Sequence, residues 1–299
     1  MQVKLLRAAT LTVGNLDRSE ALYGDWLFYD TVERGTLSPD LATSWGAPLS
    51  SGKRYVVMQP KSGASIYLRF VEDEAHRDYQ PLKTYGWAAI EICVEDVLAV
   101  NERMEKSPFT IIGPPRELDG MPAIFPMQVQ GPDGEIVYLT QIRDDLPMYD
   151  LPRATSLIDR QFIHVCAVSD LKGTLNWCQE KLGLSFGRDM AIVYTMLANA
   201  FEVPFEHKFT IATLTHERDV FYEFDQLPPA AGARPGFKGR LPQGVAISTL
   251  VLPDFSERVA LFSNWLITPP IARQGPIYDG KRAATLRGPD GILFELVEL

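Results

Sequence analysis

Two carboxylates stand where acids are unusual. Glu295 lies in LFELVEL (Leu293–Leu299) and Glu223 in FYEFDQ (Phe221–Gln226), both apolar, strand-like runs. If such an acid faces a cavity, desolvation disfavours its charged form, and it can exchange protons near neutral pH. Two of them close together titrate apart, leaving one acid and one base. The bland alternative is a solvated strand edge. Arg69 interrupts YLRFV, and a buried guanidinium needs either an internal carboxylate or an acidic ligand; the sequence leaves both open. Tyr138, in IVYLTQI, either donates a hydrogen bond or packs as an aromatic. Among the histidines, His164 (QFIHV) and His207 (FEHKF) are candidates to assist proton transfer or to contact substrate. His216 in THERD and His76 in EDEAHRD read as solvated.

The elements that must position these groups repeat. Val13–Tyr29 (VGNLDRSEALYGDWLFY) and Val168–Leu184 (VSDLKGTLNWCQEKLGL) each give a polar turn after an alternating apolar run, then apolar positions at helical spacing. They predict strand, turn, helix. The stretch Ile92–Val100 and the stretch TLVLPDFSERVALFSNWL restart the same pattern. Two Gly-Pro-Asp-Gly turns, Gly131–Gly134 and Gly288–Gly291, each open an alternating apolar run; Tyr138 follows the first by four residues and Glu295 the second. Proline suits position i+1 of such a turn, and Asp and Gly its remaining positions. The chain therefore reads as α+β: four βαβββ modules, grouped into an N-terminal domain over 1–145 and a C-terminal domain over 158–299. The connector DDLPMYDLPRATS (Asp144–Ser156), with its two prolines, separates them. A small module exposes one sheet face and must pair with another, so paired modules should curl around a shared cavity. The Thr195–Lys208 segment and the Gly/Pro-rich Ala231–Gly244 loop are either covers over the C-terminal cavity or solvated loops.

The length of 299 residues fits two domains, and 46% hydrophobic with 22% charged residues is an ordinary globular balance. A net charge of −9 argues against a nucleic-acid partner or an anionic membrane surface. Three cysteines with no CxxC pair make a disulfide framework unexpected and point to a reducing cytoplasm. No stretch is apolar enough for a membrane span, and no signal peptide is evident. P-loop, G-x-S-x-G, H-E-x-x-H and Rossmann fingerprints are missing from the sequence.

The V-x-D/N-L helix starts and the terminal PDG-apolar-Glu strand resemble the vicinal oxygen chelate superfamily, which includes glyoxalases, extradiol dioxygenases, epimerases and antibiotic-binding proteins. The resemblance spans nearly the whole chain as four modules. It implies a divalent metal held by His, Glu or Gln on cavity-facing strands. Carried over, the first-strand ligand positions are Ala8, Ala89, Ile163 and Ile247, none of which can bind a metal. The last-strand positions are Arg69, Tyr138, Glu223 and Glu295. A metal on His164, Glu223 and Glu295 would need a β-bulge, because His164 is one residue out of register. The expectation is therefore a small-molecule protein with no cofactor and its site in the C-terminal cavity. It would act on an oxygenated or aromatic metabolite by metal-independent acid/base chemistry of lyase or isomerase type. Glu295, Glu223 and His164 would be catalytic, with His207, Arg69 and Tyr138 at the substrate. A metal-dependent dioxygenase or glyoxalase-like lyase and a non-catalytic drug- or metabolite-binding protein are the alternatives. A homo-oligomer stays open.

Overall fold

The structure, a computed structural model, describes residues 4–299. The first quarter runs β1 (Leu6–Val13), α1 (Leu16–Leu27), β2 (Tyr29–Thr36), α2 (Pro39–Ser44), β3 (Arg54–Pro60), β4 (Tyr67–Glu72). The second runs β5 (Gly86–Val94), α3 (Val97–Met104), β6 (Thr110–Gly113), β7 (Ile124–Gln130), β8 (Ile136–Ile142). The third is β9 (Ile158–Val168), α4 (Leu171–Leu182), β10 (Ser185–Val193), α5 (Thr195–Phe201), β11 (Lys208–His216), β12 (Asp219–Gln226). The last is β13 (Gly244–Leu252), α6 (Phe255–Leu261), β14 (Ile271–Ala272), β15 (Arg282–Arg287), β16 (Leu293–Glu298). No helix among the described residues is long and apolar enough to cross a membrane.

The shared Asn/Asp of the V-x-D/N-L motif is the helix N-cap. Asn15 accepts from the Arg18 amide, Asp96 from Leu98 and Ala99, and Asp170 from Gly173, each satisfying amides that the first helical turn leaves unpaired. Asp254 differs: its carboxylate takes the Arg258 guanidinium instead.

Each quarter lays its first strand parallel to its last, with the two middle strands outward of it. The quarters combine across the chain. One eight-stranded sheet has the order β14-β15-β16-β13-β1-β4-β3-β2, and the other β10-β11-β12-β9-β5-β8-β7-β6. The first quarter thus shares a sheet with the fourth, through antiparallel β1 and β13, and the second with the third, through β5 and β9. Halves 1–145 and 158–299 therefore do not each close a sheet of their own, which corrects the expectation of which modules pair. All four first strands offer a similar free apolar edge, so sequence likeness between modules carries no information about which copy is the partner.

The helix-bearing faces of the two sheets pack on one another through a large core that includes Tyr23, Trp87, Trp177, Tyr222, Phe262 and Phe294. The opposite, inner faces carry separate smaller clusters. The Gly-Pro-Asp-Gly turns clasp across this junction. Asp133 accepts from the Gly14 amide, Arg18 and Ser19 at the start of α1, and Asp290 from the Ser169 amide and hydroxyl just ahead of α4. Gly134 and Gly291 sit at φ +85° and +77°, where a side chain is strained; at Gly134 a Cβ would also meet Pro81 at 2.9 Å.

Candidate functional site

On the inner face of the first sheet, the groups that sequence spacing singles out are bound to each other. Glu295 is 1% exposed. Its Oε1 accepts from Trp45 Nε1 (2.7 Å) and Tyr278 OH (2.8 Å), and its Oε2 from Thr249 Oγ1 (2.9 Å) and Arg69 Nη2 (3.1 Å). Arg69, 2% exposed, also donates to Thr10 Oγ1 and Tyr278 OH, and its guanidinium lies 4.3 Å from the Trp45 ring. Neither carboxylate oxygen is left open. This is a closed polar core in which a guanidinium fills the space beside the acid. Trp45, from the end of α2, and Tyr278, from the β14–β15 loop, cover it; neither was suggested by strand spacing.

The inner face of the second sheet is different. Glu91 of β5, Tyr138 of β8, Ile163 of β9 and Glu223 of β12 line one small pocket of about 60 Å³, with Tyr194, just ahead of α5, beside them. Leu118, Met121, Met190 and Ile211 supply an apolar wall. Tyr194 donates to Glu223 at 2.6 Å, Thr140 donates to Glu91 at 2.5 Å, and Tyr194 also hydrogen-bonds Tyr138. Burial, reinforced by the nearby Glu223 carboxylate, pushes the Glu91 carboxyl up to about 8. Asp225, two residues from Glu223 on the same strand face, is buried beside it, so the protonation of each carboxyl depends on the other. Burial raises both, and at Asp225 the neighbouring Glu223 charge acts in the same direction.

The expected trio is not assembled. Glu295 belongs to the first sheet and Glu223 to the second. His164 points from β9 into the core between the sheets, fully buried, with Nδ1 2.7 Å from Ser248 Oγ and Nε2 2.9 Å from Gln161 Oε1. Burial pushes its imidazole down to about 3, so it is neutral. β9 is bulged at Phe162, just before this point, and from Ile163 on it alternates, with Ile163 inward and His164 outward. His207 is exposed and lies against the Phe209 ring. Tyr138 and Glu223 are brought together, and Arg69 is paired with Glu295. Glu91, Asp225 and Tyr194 were missed. Glu91, in AAIEICV, carries the same signal as Glu223: an acid inside an apolar strand run. The carried-over position in β5 was Ala89, two residues earlier on the same face.

The donor sets do not fit the divalent metal that the fold implies. In the first sheet a guanidinium occupies the acid's neighbourhood. In the second, Tyr138 and Ile163 accompany two carboxyls of raised proton affinity, with no imidazole. Among the described residues no group of three or more His, Cys, Asp or Glu is arranged to hold a metal ion.

No family model matches the chain, and no curated protein matches it. Solved structures do. Glyoxalase I from Zea mays is 17% identical, covering 98% of this chain and 92% of its own, with a TM-score of 0.63. A point mutant of the same maize enzyme gives 16% identity, 98% and 93% coverage and a TM-score of 0.62. A putative dioxygenase from Bacillus subtilis is 14% identical, with 99% and 86% coverage and a TM-score of 0.65. The chain has the vicinal oxygen chelate fold in its two-sheet form.

Proposed function

We propose that the inner face of the second sheet is an acid/base site for a small oxygenated or aromatic molecule, working without a metal as an isomerase or lyase. The observation that carries the reading is the convergence of Glu91, Glu223, Tyr138 and Tyr194 in one small buried pocket, with Asp225 beside Glu223. A carboxyl titrating near 8 is matched to proton transfer at neutral pH. In the ionised form Glu91 would take a proton from carbon beside a carbonyl. Tyr194 would donate to the carbonyl oxygen, giving an enol. With a hydroxyl on the deprotonated carbon, the enol is an enediol; Glu91 returns the proton to the former carbonyl carbon, that hydroxyl's proton goes back to Tyr194, and the substrate is isomerised. With a leaving group on the β-carbon, the enol returns its proton to Tyr194, reforms the carbonyl and expels that group as the new carbon–carbon double bond forms. The pocket, at about 60 Å³, has room for about two waters, so the wall formed by Leu118 and Met121 must move aside for a substrate. The named neighbours, a glyoxalase I and a dioxygenase, support a small oxygenated substrate class.

A second reading, sequestration without turnover, is favoured by the first sheet, where the inner-face acid is committed to an ion pair beside a pocket of about 280 Å³. The test is solvent-deuterium incorporation, followed by NMR, across a panel of 2-oxoaldehydes, hydroxyketones and phenolic ketones. Exchange or isomerisation lost in Glu91→Gln and Glu223→Gln supports the enzyme. Saturable binding with no exchange supports sequestration. Neither binding nor exchange at this pocket overturns both.

A further inference from the structure

A cavity of about 760 Å³ opens beside the second sheet's carboxyl pocket. It forms where the start of β1, the start of β9, the β8–β9 connector and the β11–β12 turn meet. Four cationic residues line it, Lys4, Arg7, Arg160 and Arg218, against three acids, Asp145, Asp150 and Asp219. Every one of these acids is already engaged: Asp219 with Lys4, Asp150 with Arg218 at 2.8 Å, and Asp145 with Arg153 at 2.9 Å. Arg7 makes no ion pair among the described residues. Arg160 has only Asp159, at 3.7 Å, and that carboxylate is buried and held by the Thr155 amide and hydroxyl. Among the described residues, Arg7 therefore faces the cavity without a counter-ion and Arg160 with only the longer pair to Asp159, in a chain whose net charge is −9. The rest of the lining is apolar: Leu6, Ile66, Leu146, Leu151 and Phe162. The volume lies within the range of organic-ligand sites.

We propose that this cavity binds an amphiphilic organic anion, its carboxylate held by Arg7 and Arg160 and its apolar body laid along Leu6, Ile66, Leu151 and Phe162. A guanidinium presents paired N–H donors that match a carboxylate, and partial burial strengthens the attraction. Tyr149, Leu151 and Phe162 also line the carboxyl pocket of the second sheet. A bound ligand therefore rests on the far side of that pocket's wall, but its recognition does not depend on the acid/base reading.

The experiment is calorimetric titration of the full chain with decanoate, below its micellar concentration, with decyl phosphate and decylamine in parallel. One saturable decanoate site is expected, with decylamine failing to bind. Decyl phosphate tests the headgroup: binding tighter than decanoate would overturn the carboxylate assignment. Arg7→Gln and Arg160→Gln should each weaken decanoate about tenfold or more, with thermal melting used to verify folding. Glu91→Gln and Glu223→Gln should leave decanoate binding unchanged, which separates this site from the acid/base pocket. If an arginine variant does not fold, raising salt from about 50 to 500 mM on the unaltered chain supplies the readout, because a partly exposed ion pair is screened. No saturable binding, equal binding of decylamine, or affinity indifferent both to the arginines and to salt would overturn the proposal.

Discussion

Replacing Glu295 tests whether it is a structural counter-ion or a catalytic acid. Glu295→Gln keeps an acceptor near Trp45 Nε1 and Tyr278 OH but leaves the Arg69 guanidinium, 2% exposed, without its anion. Breaking a buried pair by removing one charge costs about 3–5 kcal/mol. Glu295→Ala also orphans the Trp45 N–H, adding roughly 1–3 kcal/mol. The Thr249 and Tyr278 hydroxyls can rotate, so they add less. At about 2–4 °C per kcal/mol, the Gln variant should melt roughly 6–20 °C lower, and the Ala variant lower still. The double variant Arg69→Met, Glu295→Leu removes both charges and should be more stable than either single change, because an apolar replacement avoids both desolvation penalties. Urea unfolding followed by tryptophan fluorescence gives all four corners of the cycle. A Glu295→Gln protein within about 1 kcal/mol of the parent, with additive single effects, would refute the reasoning and return Glu295 to the list of candidate acids.

Glu91 has a folded-state pKa of about 8 against 4.5 for the free side chain, so its contribution favours folding below about 4.5 and is lost as pH rises toward 8; the span corresponds to roughly 5 kcal/mol. Glu91→Gln should flatten that part of the stability–pH curve and raise the melting temperature at pH 8 more than at pH 5, and an unchanged slope would count against a buried neutral Glu91. His164 runs the other way: its pKa falls from 6.5 to about 3, so its contribution is present above about 6.5 and lost as pH drops toward 3. His164→Gln should therefore lessen acid sensitivity below pH 6, measured by melting from pH 3 to 7. Asp133→Ala removes the acceptor shared by Gly14, Arg18 and Ser19 and should cost about 1–3 kcal/mol in urea unfolding. A neutral result would mean that water replaces the clasp.

Much of the architecture is legible in local chemistry. Helix starts at Asn15, Asp96 and Asp170 follow from capping, and the Gly-Pro-Asp-Gly turns follow from backbone geometry, because such preferences act over a few residues. The alternation in β9 that places Ile163 inward also sends His164 to the opposite face, and that too is a local property. The acids inside apolar strands, Glu223 and Glu295, were likewise visible as anomalies, and Glu91 carried the same mark.

Their roles were not visible. The composition and periodicity of the chain determined an α+β fold of repeated strand–helix units and a short list of buried charged residues. Only the tertiary structure decided that the first unit pairs with the fourth, which puts Arg69 against Glu295 across 226 residues and commits that acid to an ion pair. The same pairing sets β5 beside β9 and gathers Glu91, Tyr138, Glu223 and Asp225 in the other sheet. A carboxylate in a strand is equally consistent with an ion pair or a proton carrier. Which it becomes depends on the side chain that strand pairing brings within about 3 Å, and that distance is set by contacts far apart in sequence.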